Sequence, residues 1–157
     1  MKRYITFAAF TFYVGQGFSV EIESLKSALK AALGHVKAAT KKTVTEKDQT
    51  FDIYFDKAAL KNYAVVQKRI YPPNCTHTWV IGIDALSKKV NEIRIVEYSC
   101  PHAKPATTAS YFEQYKGKGP VDMSELKGSI QTVAKATATC DLTTDAVVMA
   151  VEAIGKI

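Results

Sequence analysis

The stretch Trp79-Val80-Ile81-Gly82-Ile83-Asp84, a polar turn Leu86-Ser87-Lys88-Lys89, and then Val90-Asn91-Glu92-Ile93-Arg94-Ile95-Val96-Glu97-Tyr98 decides the fold class of this chain. The first run, Trp79 to Ile83, reads as a strand. The second mixes Val90, Ile93 and Ile95 with Asn91, Glu92, Arg94 and Glu97, as in a strand with one wetter face. With the turn between them they predict a β-hairpin over residues 78–84 and 90–98. A further strand is expected over 63–71, stopped by Pro72-Pro73-Asn74. Outward from this sheet the periodicity becomes helical. Leu25, Leu29, Leu33 and Val36 predict a helix over 21–40. Thr45-Glu46-Lys47-Asp48 reads as a capping box opening a second helix that carries Phe51, Tyr54, Phe55 and Leu60. Downstream, 101–108 reads as a loop and 110–116 as a short helix ended by Gly117-Lys118-Gly119-Pro120. One helical turn is expected over 124–127 and a short strand over 130–134. A last helix over 143–154 buries Val147, Val151 and Ile154. The class is α+β: N-terminal helices, an antiparallel sheet with a central hairpin, and C-terminal helices packed on it.

The chain of 157 residues argues for one domain, long enough to build a core unaided. Its net charge of +6 is scattered as pairs such as Lys41-Lys42 and Lys88-Lys89, without a basic run or a nucleic-acid-binding motif. Nucleic acid is therefore excluded as the expected partner, while a mild positive field favours an anionic one. Lys2-Arg3, the apolar stretch from Tyr4 to Val14, and Gly17-Phe18-Ser19 read as an export signal over 1–19, with one domain over 20–157. The expected location is extracytoplasmic, periplasmic or secreted. No later segment is long and apolar enough to span a membrane, so no integral association is expected after signal cleavage.

Three cysteines carry further information. Cys75-Thr76-His77 and Cys100-Pro101-His102 are matching contexts. Folding the hairpin about residues 87–88 sets position 76 near position 99, so Cys75 and Cys100 stand at the same end of neighbouring strands. A disulfide closing that loop would contribute about 3–4 kcal/mol. Unlinked thiols remain open, as does a metal or haem site built from Cys75, His77, Cys100 and His102. The Cys-x-His spacing suits zinc poorly, and there is no Cys-x-x-Cys-His for haem attachment. Cys140 is the odd cysteine, a small apolar filler or part of a ligand site. His35 is expected on the surface of the first helix. No nucleophile, base and orienting group fall together, which argues against a hydrolase.

Lys135-Ala136-Thr137-Ala138-Thr139-Cys140 sets small residues and hydroxyls before the final helix. Ser and Thr there are commonly caps; such a place also suits a phosphate, because small side chains permit close approach and free helix N–H groups attract anions. Together with the hairpin, Lys89-Val90-Asn91-Glu92-Ile93, and Phe112-Glu113-Gln114-Tyr115-Lys116-Gly117-Lys118, this stretch resembles the extracytoplasmic FMN-binding domain. That family includes flavin-carrying components of the sodium-pumping NADH:quinone oxidoreductase and of Rnf-type complexes, and regulators of nitrous oxide reduction. The family has Phe-x-x-Gln-Phe-x-Gly-Lys where this chain has 112–118, and Ser-Gly-Ala-Thr-x-Thr/Ser-Ser where it has 134–140; Asp145-Ala146-Val147 follows in the family's helix.

The resemblance implies FMN beside the hairpin and the last motif, and an electron-transfer protein rather than a stand-alone enzyme, with redox proteins as partners. In many members the flavin phosphate is esterified to the Thr that corresponds to Thr137, by a dedicated transferase. Thr137 and Thr139 would contact phosphate or ribityl chain, Lys135 would balance charge, and Trp79 and Tyr111 are candidate ring contacts. Gln131, Ala134 and Lys135 stand where the family has Asp, Ser and Gly, so the resemblance implies bound FMN more firmly than a covalent link. The rival readings are a cofactor-free, disulfide-stapled binding module and a haem or metal protein.

Overall fold

A computed structural model describes residues 23–34 and 39–157. Its centre is the expected hairpin, β4 (Cys75–Asp84) paired antiparallel with β5 (Val90–Tyr98). Asp84 builds the turn. Its carboxylate accepts from the Leu86 N–H at 3.1 Å, the Ser87 N–H at 2.7 Å and the Ser87 hydroxyl at 2.8 Å. These bonds favour the charged carboxylate and hold its pKa below the usual value. β3 (Asn62–Tyr71) lies on the other side of β4, as the sequence predicts.

The helix expected from Thr45 onward is not there. Residues 40–55 form a second hairpin, β1 (Thr40–Glu46) and β2 (Gln49–Phe55), which extends the sheet to a meander in the order β1-β2-β3-β4-β5. Two features override the capping-box reading. Lys47 and Asp48 both take positive φ, 48° and 60°, the signature of a two-residue turn that matches strand twist. Phe51 and Ile53 are buried on one face while Tyr54 points to the other, a period of two rather than 3.6.

Both faces of the sheet are covered. On one, Phe51, Ile53, Val65, Trp79, Ile81 and Ile83 meet Tyr115, Leu126, Val147, Val151 and Ile154 in the main core. On the other, Ala64 and Val80 meet Ala28, Ala32 and Leu33 of α1 (Leu25–Leu33). Gly82 allows that close approach: a Cβ there would lie 3.1 Å from Ala32 Cβ and 3.2 Å from Ala32 Cα, and against Asn91 Oδ1. Ser24 caps α1 through the Ser27 N–H. Gly34 at φ 81° ends it, so the helix is shorter than 21–40. The expected signal at 1–19 and His35 lie outside the described residues.

After β5 come a 3-10 turn at Lys104–Thr107 within the expected loop, α2 (Ala109–Phe112) and a 3-10 turn at Glu113–Tyr115. Together α2 and that last turn fill the expected short helix, ended by Gly117 at φ 79°. The 3-10 turn Pro120–Asp122 and α3 (Leu126–Ser129) follow. The strand expected at 130–134 is irregular chain. The Gln114 side chain serves as its partner, accepting from the Gln131 N–H at 2.8 Å and donating to the Gln131 carbonyl at 3.4 Å. The last helix, α4 (Thr137–Gly155), begins six residues before the expected position 143. The class is α+β, with one N-terminal helix among the described residues instead of two. No helix among them is long and apolar enough to cross a membrane.

Candidate functional site

The segment 133–140 forms a turn that runs into the start of α4. The Ala136 N–H donates to the Val133 carbonyl at 3.0 Å, and the Cys140 N–H makes the first helical bond to the Ala136 carbonyl at 3.0 Å. Between them Lys135 takes φ 66°, in the left-handed region. This is the position where the FMN-binding family has glycine. The chain keeps the backbone shape that glycine serves while carrying a lysine, at an expense of about 1–2 kcal/mol. Ala136 at the N-cap supplies no side-chain bond. The N–H groups of Thr137, Ala138 and Thr139 therefore face a helix end that no side chain satisfies, and the aligned peptide dipoles of a 19-residue helix favour negative charge there.

The six candidate residues divide by exposure. Lys135 and Thr137 are exposed and Ala138 is half-buried. Ala136, Thr139 and Cys140 are buried. Thr139 is engaged inward, its hydroxyl 3.2 Å from His77 Nε2. Cys140 is a free thiol whose Sγ lies 3.4 Å from the Val133 N–H. Neither reaches the exposed end of the helix.

Around these inward residues β4, the turn after α2 and the first turns of α4 meet. From β4, His77 reaches Thr139 and stacks on Trp79, with ring centroids 5.3 Å apart and 7° between planes. From α2 and the turn after it, the Tyr111 and Tyr115 hydroxyls are 2.9 Å apart. Tyr115 is 2.9 Å from Thr144 Oγ1, which donates to the Cys140 carbonyl at 2.9 Å. Thr143 donates likewise to the Thr139 carbonyl at 2.8 Å. Burial raises the pKa of both phenols, so they remain neutral hydrogen-bonding groups. Burial also pushes the His77 imidazole below its ordinary pKa, the Cys75 carbonyl opposing weakly.

Sequence reasoning considered His77 only as a metal or haem ligand. Its place on the face shared with Trp79 and Ile81 follows from strand alternation, and that signal could have paired it with the final helix. Tyr115, Gln67 and Arg69 were also missed. Gln67 and Arg69 lie opposite Trp79 and His77 in the β3–β4 ladder. Gln67 Nε2 and Arg69 Nη1 approach the Met149 sulfur at 3.6 and 3.1 Å. Gln67 Oε1 and Trp79 Nε1 are a buried acceptor and a buried donor without protein partners, on residues paired in the β3–β4 ladder.

Cys75 and Cys100 form a disulfide with Cα atoms 4.9 Å apart, and the Ser99 N–H donates to the Thr76 carbonyl at 3.0 Å, the register the hairpin implied. The bond takes both thiols out of the proposed metal set with His77 and His102. No group of three or more His, Cys, Asp or Glu among the described residues could hold a metal ion.

FMN can be tested against this site end by end. The phosphate end fits: an uncapped helix start, an exposed hydroxyl at Thr137 and an ammonium at Lys135 lie within three consecutive residues. The ring end is less provided for. Trp79 and Tyr111 are 0% and 4% exposed, so neither presents a face to a ligand in this arrangement. Clefts among the described residues lie between β5 and α2 (about 280 Å³), along α1 (about 490 Å³) and beside the end of α4 (about 360 Å³).

Compared with protein-family models, curated proteins and solved structures, the chain matches none.

Proposed function

We propose that this protein binds FMN through its phosphate at the start of α4 and acts as an extracytoplasmic electron carrier between redox proteins. The observation that carries the reading is Lys135. The chain holds a left-handed backbone where the family it resembles has glycine, directly before an uncapped helix and an exposed threonine. Lysine at this position sets an ammonium on the exposed turn that leads into the helix start, which glycine would not. The contact of Tyr115, from the second motif, with Thr144 adds support, because it sets that motif behind the same helix end.

In this reading each residue has a limited part. The N–H groups of Thr137, Ala138 and Thr139 hold phosphate oxygens, Lys135 offsets their charge, and the Thr137 hydroxyl donates to one of them. Bound flavin supplies one- or two-electron transfer; the chain holds and orients it. The side chains of Thr139 and Cys140 support the helix from within rather than touching the ligand. Thr137 is open to an esterifying transferase, but Gln131, Ala134 and Lys135 replace three residues of that enzyme's motif. The bound state is therefore read as non-covalent.

The test is the absorption spectrum of protein purified from an extracytoplasmic fraction and then mixed with FMN. Flavin bands that stay with the folded protein and are released on denaturation support the reading. Bands that survive denaturing electrophoresis, and vanish in Thr137→Ala, would move it to covalent attachment. Protein that is colourless and leaves FMN free in solution rejects it.

A further inference from the structure

The Cys75–Cys100 disulfide joins the two chain segments that brace the first turns of α4. Two residues after Cys75, His77 reaches Thr139 in the first turn. From Cys100 the chain runs through buried Ala103 and Ala106 to Tyr111 and Tyr115, and Tyr115 holds Thr144 in the second turn. Among the described residues, the His77 contact is the one side-chain hydrogen bond between the sheet and the first turn of α4. Besides the ladder that pairs Cys75 with Tyr71 and His77 with Arg69 and Tyr98, the ties at this corner are the Thr76 N–H to Ser99 Oγ at 2.8 Å, the Ser99 N–H to the Thr76 carbonyl at 3.0 Å, and Ser99 Oγ to the Asn74 carbonyl at 3.3 Å. Cys75 is half-buried, while Cys100 is buried.

We propose that this disulfide is a redox latch on the anion-binding end of α4: intact, it keeps His77 and the Tyr111–Tyr115 pair seated against the helix; reduced, it loosens the first turn and weakens phosphate binding there. The ligand part rests on the FMN reading; the mechanical part does not. The reductant is a dithiol. One thiolate attacks Cys75 Sγ and expels the Cys100 thiolate, giving a mixed disulfide. The second thiol of the reductant then displaces Cys75. Two electrons and two protons end on Cys75 and Cys100, and the dithiol leaves as its own disulfide. The disulfide is thus a second two-electron centre of the chain, placed to report the redox state of the compartment to the ligand site.

The experiment is amide hydrogen exchange on the full chain, oxidised and after reduction with a dithiol, followed by FMN titration of both forms. The latch predicts that reduction accelerates exchange at the Cys140 and Asp141 amides about tenfold more than at Val147–Val151, whose rates follow only the global stability lost with the cross-link, and that FMN binding weakens by a similar factor. The double variant Cys75→Ala/Cys100→Ala reproduces the reduced form; should it fail to fold, chemical reduction of the native chain gives the same readout. Equal exchange at 140–141 in the two forms overturns the latch. So does a uniform increase along α4 and β3, which would mark general destabilisation. A local exchange response with no FMN binding in either form upholds the mechanical latch and rejects the flavin reading.

Discussion

Lys135→Gly separates the backbone role of this residue from its charge. Lys135 sits at φ 66°, where an L-residue with a Cβ is destabilised by about 1–2 kcal/mol. Glycine removes that strain but loosens the unfolded chain, at about 0.5–1 kcal/mol. The difference predicts a net stabilisation of about 0.5–1 kcal/mol, or about 1–4 °C in Tm for a chain of this length. Lys135→Ala keeps the strained geometry and removes only the ammonium, so stability should stay within about 0.5 kcal/mol of the parent. Ligand binding should move differently. Both variants lose a solvent-exposed charge beside the phosphate, which predicts FMN binding weakened about two- to fivefold at physiological salt. Thermal unfolding and FMN titration of the three proteins read the two effects separately. A Lys135→Gly protein that is less stable than its parent would refute the left-handed turn. One that binds FMN as tightly as the parent would refute the charge role.

Three further outcomes follow from the packing. Because burial lowers the His77 pKa from 6.5, the unfolded chain takes up a proton that the folded chain resists; the stability contribution is full above about pH 6.5 and declines as pH falls from there toward the folded value, by at most about 1.4 kcal/mol per pH unit. Denaturant midpoints between about pH 7 and 5 should show this decline in the parent and less of it in His77→Asn. Loss of the disulfide in Cys75→Ala/Cys100→Ala should cost about 3–4 kcal/mol by chemical denaturation; titration of free thiols in the unfolded parent should count Cys140 alone before reduction and three thiols after it. Gly82→Ala pushes a methyl into Ala32 and Asn91 and should destabilise by about 1–3 kcal/mol, mainly by displacing α1; an unchanged midpoint would contradict the close approach of that helix.

The sheet was legible where strand signals stood alone. The run 79–84, the polar turn and 90–98 contain no competing helical period, and β4 ends at Asp84 and β5 starts at Val90 as they predict. Residues 45–55 misled because Phe51, Tyr54 and Phe55 also fit helical spacing, and because Lys-Asp does not advertise the left-handed turn that Asn-Gly would. The early start of α4 was hidden by the weak helix formers Thr137, Thr139 and Cys140. The contact of Thr139 with His77 supports that segment from outside the local sequence. Strand alternation could have paired His77 with α4, but a Cys-x-His context drew attention to ligation. That Thr139 and Cys140 face inward depends on helix phase. It could be read only once the start at Thr137 was fixed.

The central claim is that a flavin phosphate docks at the start of α4. The most direct measurement compares FMN with riboflavin, the same ring and ribityl chain without the phosphate, by fluorescence quenching against the same protein. FMN should bind at least about tenfold more tightly, and inorganic phosphate at millimolar concentration should compete with it. Equal affinity for the two, or none for either, would contradict the claim.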